Sequence, residues 1–137
     1  MAEGVFGHVA AEAGRGEYFH IESAGTGSWH VGNPPDRRAI AAAARRGIDL
    51  SGQRARRVQT QDFEKFDFIL AMDASNQADL LDLASEVHAP KVQLFLHNLP
   101  NLENQDVPDP YYGGEEGFEE ALNLIERGSR ALLARLT

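Results

Sequence analysis

Three features of the 137-residue sequence predict an α/β fold with a doubly wound parallel sheet and helices on both faces. Helical and strand-like segments alternate along the chain, the pattern that builds one parallel sheet with crossover helices packed against it. The run Phe66-Asp67-Phe68-Ile69-Leu70-Ala71-Met72 is almost continuously apolar, as expected of a strand covered on both sides. Near the C-terminus, Phe118, Leu122, Ile125, Leu132 and Leu136 mark the apolar stripe of a long helix.

The elements come in order. Residues 1–13 read as a helix, with Ala2, Val5, Phe6, Val9 and Ala13 at helical spacing and Gly14 and Gly16 ending it. Residues 17–23, with Tyr18, Phe19 and Ile21, read as a strand, and a loop rich in Gly, Asn and Pro covers 24–35. A second helix starts near Pro35–Asp36, where proline suits the first turn and aspartate the positive end of the dipole. It runs through Ile40 to Gly47, which suits the residue after a C-cap. The apolar strand 66–72 precedes Ser75, a candidate cap for a helix to about Ala84. Val92, Leu94 and Phe95 form a short strand, and the last helix spans about 115–135. A helix that feeds directly into a parallel strand is half a βαβ unit, so a strand is expected before Met1.

Composition narrows the function classes. With 42% hydrophobic and 25% charged residues, the chain reads as one globular domain, residues 1–137. No apolar stretch nears the roughly 18 residues of a membrane span, and no secretory signal opens the chain, so a cytoplasmic location is the default expectation. There is no cysteine, which removes disulfides, thiolate catalysis and cysteine-based zinc sites. The five histidines lack i,i+3 or i,i+4 spacing, so neither a metal nor another cofactor is expected. A net charge of −8 argues against nucleic acid. Seven of the thirteen basic residues lie between Arg37 and Arg57, and seven acids between Glu103 and Glu120. These are two solvated faces or, in a functional reading, a basic rim that attracts anionic phospho-substrates.

Five segments carry a more specific message. They are Ser23-Ala24-Gly25-Thr26-Gly27 followed by Trp29, Gly32-Asn33-Pro34-Pro35-Asp36, Gly47-Ile48-Asp49-Leu50-Ser51, Asp67 to Asp73 with Ser75-Asn76, and Asp106-Val107-Pro108-Asp109-Pro110-Tyr111-Tyr112-Gly113. In this order and spacing the chain resembles the low-molecular-weight protein tyrosine phosphatases over essentially its whole length. The resemblance implies a four-stranded parallel sheet and a phosphate-binding loop of Cys-x5-Arg-Ser type between the first strand and first helix. Neither that central strand nor that loop is expected within these residues; Met-Ala-Glu-Gly-Val-Phe resembles the residues just after the loop. The missing piece would be roughly 10–20 residues.

The resemblance also implies roles. The family hydrolyses phosphotyrosine or small aryl phosphates through a cysteinyl-phosphate intermediate. Tyrosine leaves poorly as an anion, since its pKa is about 10, and a carboxylic acid must protonate it. Asp109 matches that acid, against a rival reading as the start of a Pro-Tyr turn. Trp29, Tyr111 and Tyr112 match the aromatic walls of the substrate pocket, against ordinary loop packing. Ser23 matches a serine that supports the phosphate loop, and Asp73 a carboxylate facing the loop arginine; turn formation or capping is the rival for both. Shortly after the position of Ser51 the family often has a histidine; here the stretch reads Gly52-Gln53-Arg54-Ala55-Arg56, where Gln53 can hydrogen-bond but cannot carry a histidine's proton chemistry. The 137 residues are expected to be inactive by themselves and either marginally stable or self-associating through the slot of the missing strand, with a pseudo-phosphatase binding module or a fragment without function as alternatives.

Overall fold

The computed structural model describes residues 1–27, 31–110 and 114–137, with the backbone alone at Glu115. Helix α1 (Ala2–Glu12) buries Val5, Phe6, Val9 and Ala10. Its end is marked by Gly14 at φ 73°, a left-handed conformation open to glycine. Helix α2 (Arg37–Ala44) is capped by Asp36, whose carboxylate accepts the Arg38 N–H at 2.8 Å. Gly47, at φ 78°, comes after its last turn, and the Ile48 N–H closes back on the Ala43 carbonyl at 3.0 Å. A short helix, α3 (Asp62–Lys65), then leads to strand β1 (Ile69–Ala71). Helix α4 (Ala74–Leu83), strand β2 (Val92–Leu94) and the long helix α5 (Glu115–Leu136) complete the order.

The sheet is α/β in kind: β1 and β2 run parallel, with Ile69 opposite Val92, Leu70 opposite Gln93 and Ala71 opposite Leu94. Side-chain alternation divides the core in two. Leu70 and Met72 pack against the main cluster, which includes Phe6 and Val9 of α1, Ala42 and Ala43 of α2, and Leu122 and Ile125 of α5. Ala71 and Ile69 join a second cluster with Phe63, Leu80 of α4, Val92 and Leu94. Apolar side chains thus cover both faces of the strand pair, which explains the continuous apolar run read in the sequence.

Several expectations change. The strand expected over 17–23 does not form. Gly16–Tyr18 is a single 3₁₀ turn, Phe19 is extended, and residues 19–24 form no ladder among the described residues. Backbone groups form a strand only beside a partner, and among the described residues none pairs with residues 19–23. A parallel bridge follows at Gly25, paired with Arg57 through Gly25 N–H to the Arg56 carbonyl (2.8 Å) and Val58 N–H to the Gly25 carbonyl (2.9 Å). Of the strand expected over 66–72, three residues pair. Phe66 ends α3 and stacks on His20 with ring centroids 5.5 Å apart, while Phe68 is exposed under the Arg135 guanidinium. The cap of α4 is Asp73 rather than Ser75. Phe95 leaves the strand for a 3₁₀ turn over Phe95–Asn98.

Candidate functional site

Doubly wound sheets hold ligands beyond the carboxyl ends of their strands. At that end of β1 the chain passes from Met72 to Asp73 and into α4. The first N–H groups of a helix have no partner within it and must find one outside. Asp73 takes one, accepting the Asn76 N–H at 2.7 Å. Asp106, from a segment far along the chain, takes another, accepting the Ala74 N–H at 2.9 Å. The next residue, Val107, donates its N–H to the Met72 carbonyl at 2.7 Å and buries its side chain in the main core. The segment 106–110 is therefore docked on the end of β1, and it carries Asp109 two residues past the docking point. Pro110 lies against the first turn of α5: a Cβ on Gly117 would stand 3.5 Å from the Pro110 Cβ.

Ser23 lines an open polar cleft of about 560 Å³. Glu3, Ser23, Asp49, Gln53, Arg54 and Arg56 line it. The Ser23 hydroxyl donates to Glu3 Oε1 at 2.7 Å, so its partner here comes from the first turn of α1. The Ser51 hydroxyl and N–H both donate to Asp49 Oδ1, at 2.6 and 2.9 Å, and hold that carboxyl below its usual range. Gly4 sits tightly under this cleft, and a Cβ there would collide with Leu50. The structure brings Ser23 and Gln53 to one cleft, and Asp73 and the Asp109 segment to the end of β1. Trp29, Tyr111 and Tyr112, expected to wall the pocket, lie outside the described residues.

Four of the seven arginines in the segment 37–57 take part in ion pairs among the described residues. Arg38 pairs with Asp36 at 3.1 Å, Arg45 and Arg46 both reach Glu119 at 2.8 and 2.7 Å, and Arg56 meets Asp62 at 3.0 Å. The two opposite-charge segments thus meet each other at α2 and α5. Hydrogen bonds from Arg46 and Arg45 hold the Glu119 carboxyl below its ordinary value. At Arg45, Arg46 and Glu119 the faces are internally paired, while Arg54 and Arg56 line the open cleft. Among the described residues, no three of His, Asp or Glu gather where they could hold a metal ion, and no helix is long and apolar enough to cross a membrane.

Sequence reasoning missed Asp106. Its only signal was Val107, an apolar residue inside a polar loop, which marks a point where the loop turns back to the core. It also missed the Glu119 clamp, because residues 45 and 119 lie far apart in sequence.

The family model described as low molecular weight phosphotyrosine protein phosphatase matches residues 1–137. A relative from Bacillus subtilis, the low molecular weight protein-tyrosine-phosphatase YfkJ, is 40% identical over 99% of this chain and 86% of its own. The human low molecular weight phosphotyrosine protein phosphatase is 35% identical over 98% of this chain and 85% of its own. A crystal structure of a protein tyrosine phosphatase from Entamoeba histolytica superposes with a TM-score of 0.93 at 34% identity, covering 98% of this chain and 86% of that one.

Proposed function

The chain belongs to the low molecular weight phosphotyrosine protein phosphatase family, and from that membership we propose that its single domain, residues 1–137, carries the proton-transfer part of phosphate-monoester hydrolysis. Phosphotyrosine, in a protein or as a small aryl phosphate, is the substrate class. Asp109 protonates the departing phenolic oxygen while the phosphoryl group passes to a cysteine thiolate, then takes a proton from the water that hydrolyses the thiophosphate. Trp29, Tyr111 and Tyr112 grip the aryl ring between aromatic faces. Ser23 and Asp73 support the phosphate loop and its arginine. The observation that carries the reading is the docking of the 106–110 segment on the carboxyl end of β1, beside Asp73.

The thiolate itself is not among these residues, since the sequence holds no cysteine. Magnitudes then decide what the 137 residues do alone. A general acid contributes roughly 10²–10⁴-fold, whereas the slowest phosphate-monoester hydrolyses need accelerations up to about 10²¹-fold. Nucleophile, arginine clamp and oriented amides supply most of that, so the 137 residues turn nothing over unaided. A strand and a Cys-x5-Arg-Ser loop, placed ahead of Met1 and against the sheet, complete the site. The segment 19–23, which has no backbone partner among the described residues, fits this view, and it gives a second copy of the chain a backbone edge to join at high concentration. Concentration-independent monomer in sedimentation would exclude that self-association.

The test is direct. Hydrolysis of p-nitrophenyl phosphate is measured with the 137-residue chain and with the same chain joined to such a strand and loop. Turnover is expected only in the joined protein, falling roughly 10²–10⁴-fold in Asp109→Ala. Turnover by the chain alone, abolished by the same substitution, would overturn the need for the loop. A joined protein indifferent to Asp109 would overturn its role as acid.

A further inference from the structure

We infer that Asp106 is a positioning residue that fixes the segment bearing Asp109 against the end of β1, an inference that rests on the reading of Asp109 as the general acid. Two consecutive residues of the loop make contacts that straddle Asp73. The Asp106 carboxylate receives the Ala74 N–H on one side of it, at 2.9 Å. The Val107 N–H reaches the Met72 carbonyl on the other, at 2.7 Å. The Val107 side chain, 5% exposed, is held by the main core.

Asp109 comes only two residues later, which confines its Cα to within about 7 Å of that of Val107. The proline rings at 108 and 110 fix φ on either side of it. Pro110 abuts the first turn of α5 at Gly117. The acid thus hangs on a short, stiff tether held at both ends, and Asp106 supplies the hold that a single side chain can remove.

The residue type has a physical reason. Ala74 is the first residue of α4, and its N–H has no acceptor within the helix. The cap residue Asp73 is occupied by the Asn76 N–H. A carboxylate arriving from outside is favoured by the positive end of the helix dipole, and it ties the loop to the strand end at the same time.

Amide hydrogen exchange, read residue by residue on the 137-residue chain, tests this. In Asp106→Ala the Ala74 and Val107 amides should exchange about tenfold faster or more, while α5 amides such as Leu122 keep their rates. Asp106→Asn, which keeps an acceptor oxygen at the same place, should restore most of the protection. Unchanged exchange at Val107 in the alanine variant overturns the inference, as does an asparagine variant no better than alanine. Should alanine loosen α5 as well, the asparagine variant decides: rescue supports the anchor, and equal loosening overturns it. Exchange is read without turnover. Failure here therefore differs from failure of the acid reading, which shows as Asp109-independent turnover in the joined protein.

Discussion

Two glycines of the same helix should respond to alanine in opposite directions. Gly128 lies inside α5, where a Cβ would stand 2.5 Å from Phe95 Cε1, 3.0 Å from Phe95 Cδ1 and 3.3 Å from Leu96 Cδ2. Phe95 is 3% exposed and Leu96 1%, so neither side chain has solvent to retreat into. Overpacking of this kind costs about 1–3 kcal/mol, and two ring atoms in the way place Gly128→Ala near the upper end. Alanine recovers about 1 kcal/mol of helix propensity. The net expectation is a loss of about 1–2 kcal/mol, or roughly 2–8 °C in Tm. At Gly117, in the first turn of α5, the nearest atom to an added Cβ is Pro110 Cβ at 3.5 Å, an ordinary contact. Gly117→Ala should therefore gain up to about 1 kcal/mol. Urea denaturation monitored by far-ultraviolet circular dichroism measures both. Equal shifts of the same sign, or a Gly128→Ala variant as stable as the parent, would refute the claim that the α5 contact with Phe95 is rigid.

The same contacts set other outcomes. Leu122 is fully buried in the main cluster, and Leu122→Ala should cost about 2–5 kcal/mol in the same denaturation experiment. Asp73→Ala should cost about 1 kcal/mol by removing the α4 cap, with Asp73→Ser largely restoring it; a neutral alanine variant would deny the capping role. Glu22, Asp36, Asp49, Asp62 and Glu119 all have folded pKa values below their ordinary ones. His20 and Lys65 hydrogen bonds lead for Glu22, Arg38 for Asp36, Ser51 for Asp49 and Arg46 for Glu119; at Asp62 burial is the largest cause and acts upward, and the Arg56 and Gln59 hydrogen bonds with the Arg56 charge together outweigh it. Depressed carboxyls stabilise the fold above their unfolded values and lose that contribution as pH falls through the folded ones. The urea midpoint should hold between about pH 6 and 5 and fall below about 4.5, and a midpoint that rises on acidification would contradict the sign.

What the sequence determined by itself was local and periodic. The apolar stripe at Phe118, Leu122 and Ile125 defined α5, because one helical face must be buried wherever its partner lies. Gly47 and Asp36 delimited α2 through backbone conformation and an orphan N–H, both properties of a few neighbouring residues. The five ordered segments pointed to the family that the relatives bear out. Tertiary structure alone decided the rest. Tyr18–Ser23 has strand composition but no ladder among the described residues, because pairing depends on a neighbour that no local pattern encodes. The arginines at 45 and 46 look like free positive charge until Glu119 is brought beside them. Asp106 looks like one more loop acid until the fold sets it on the first N–H of α4, because a helix leaves its end groups to be satisfied from wherever the chain returns.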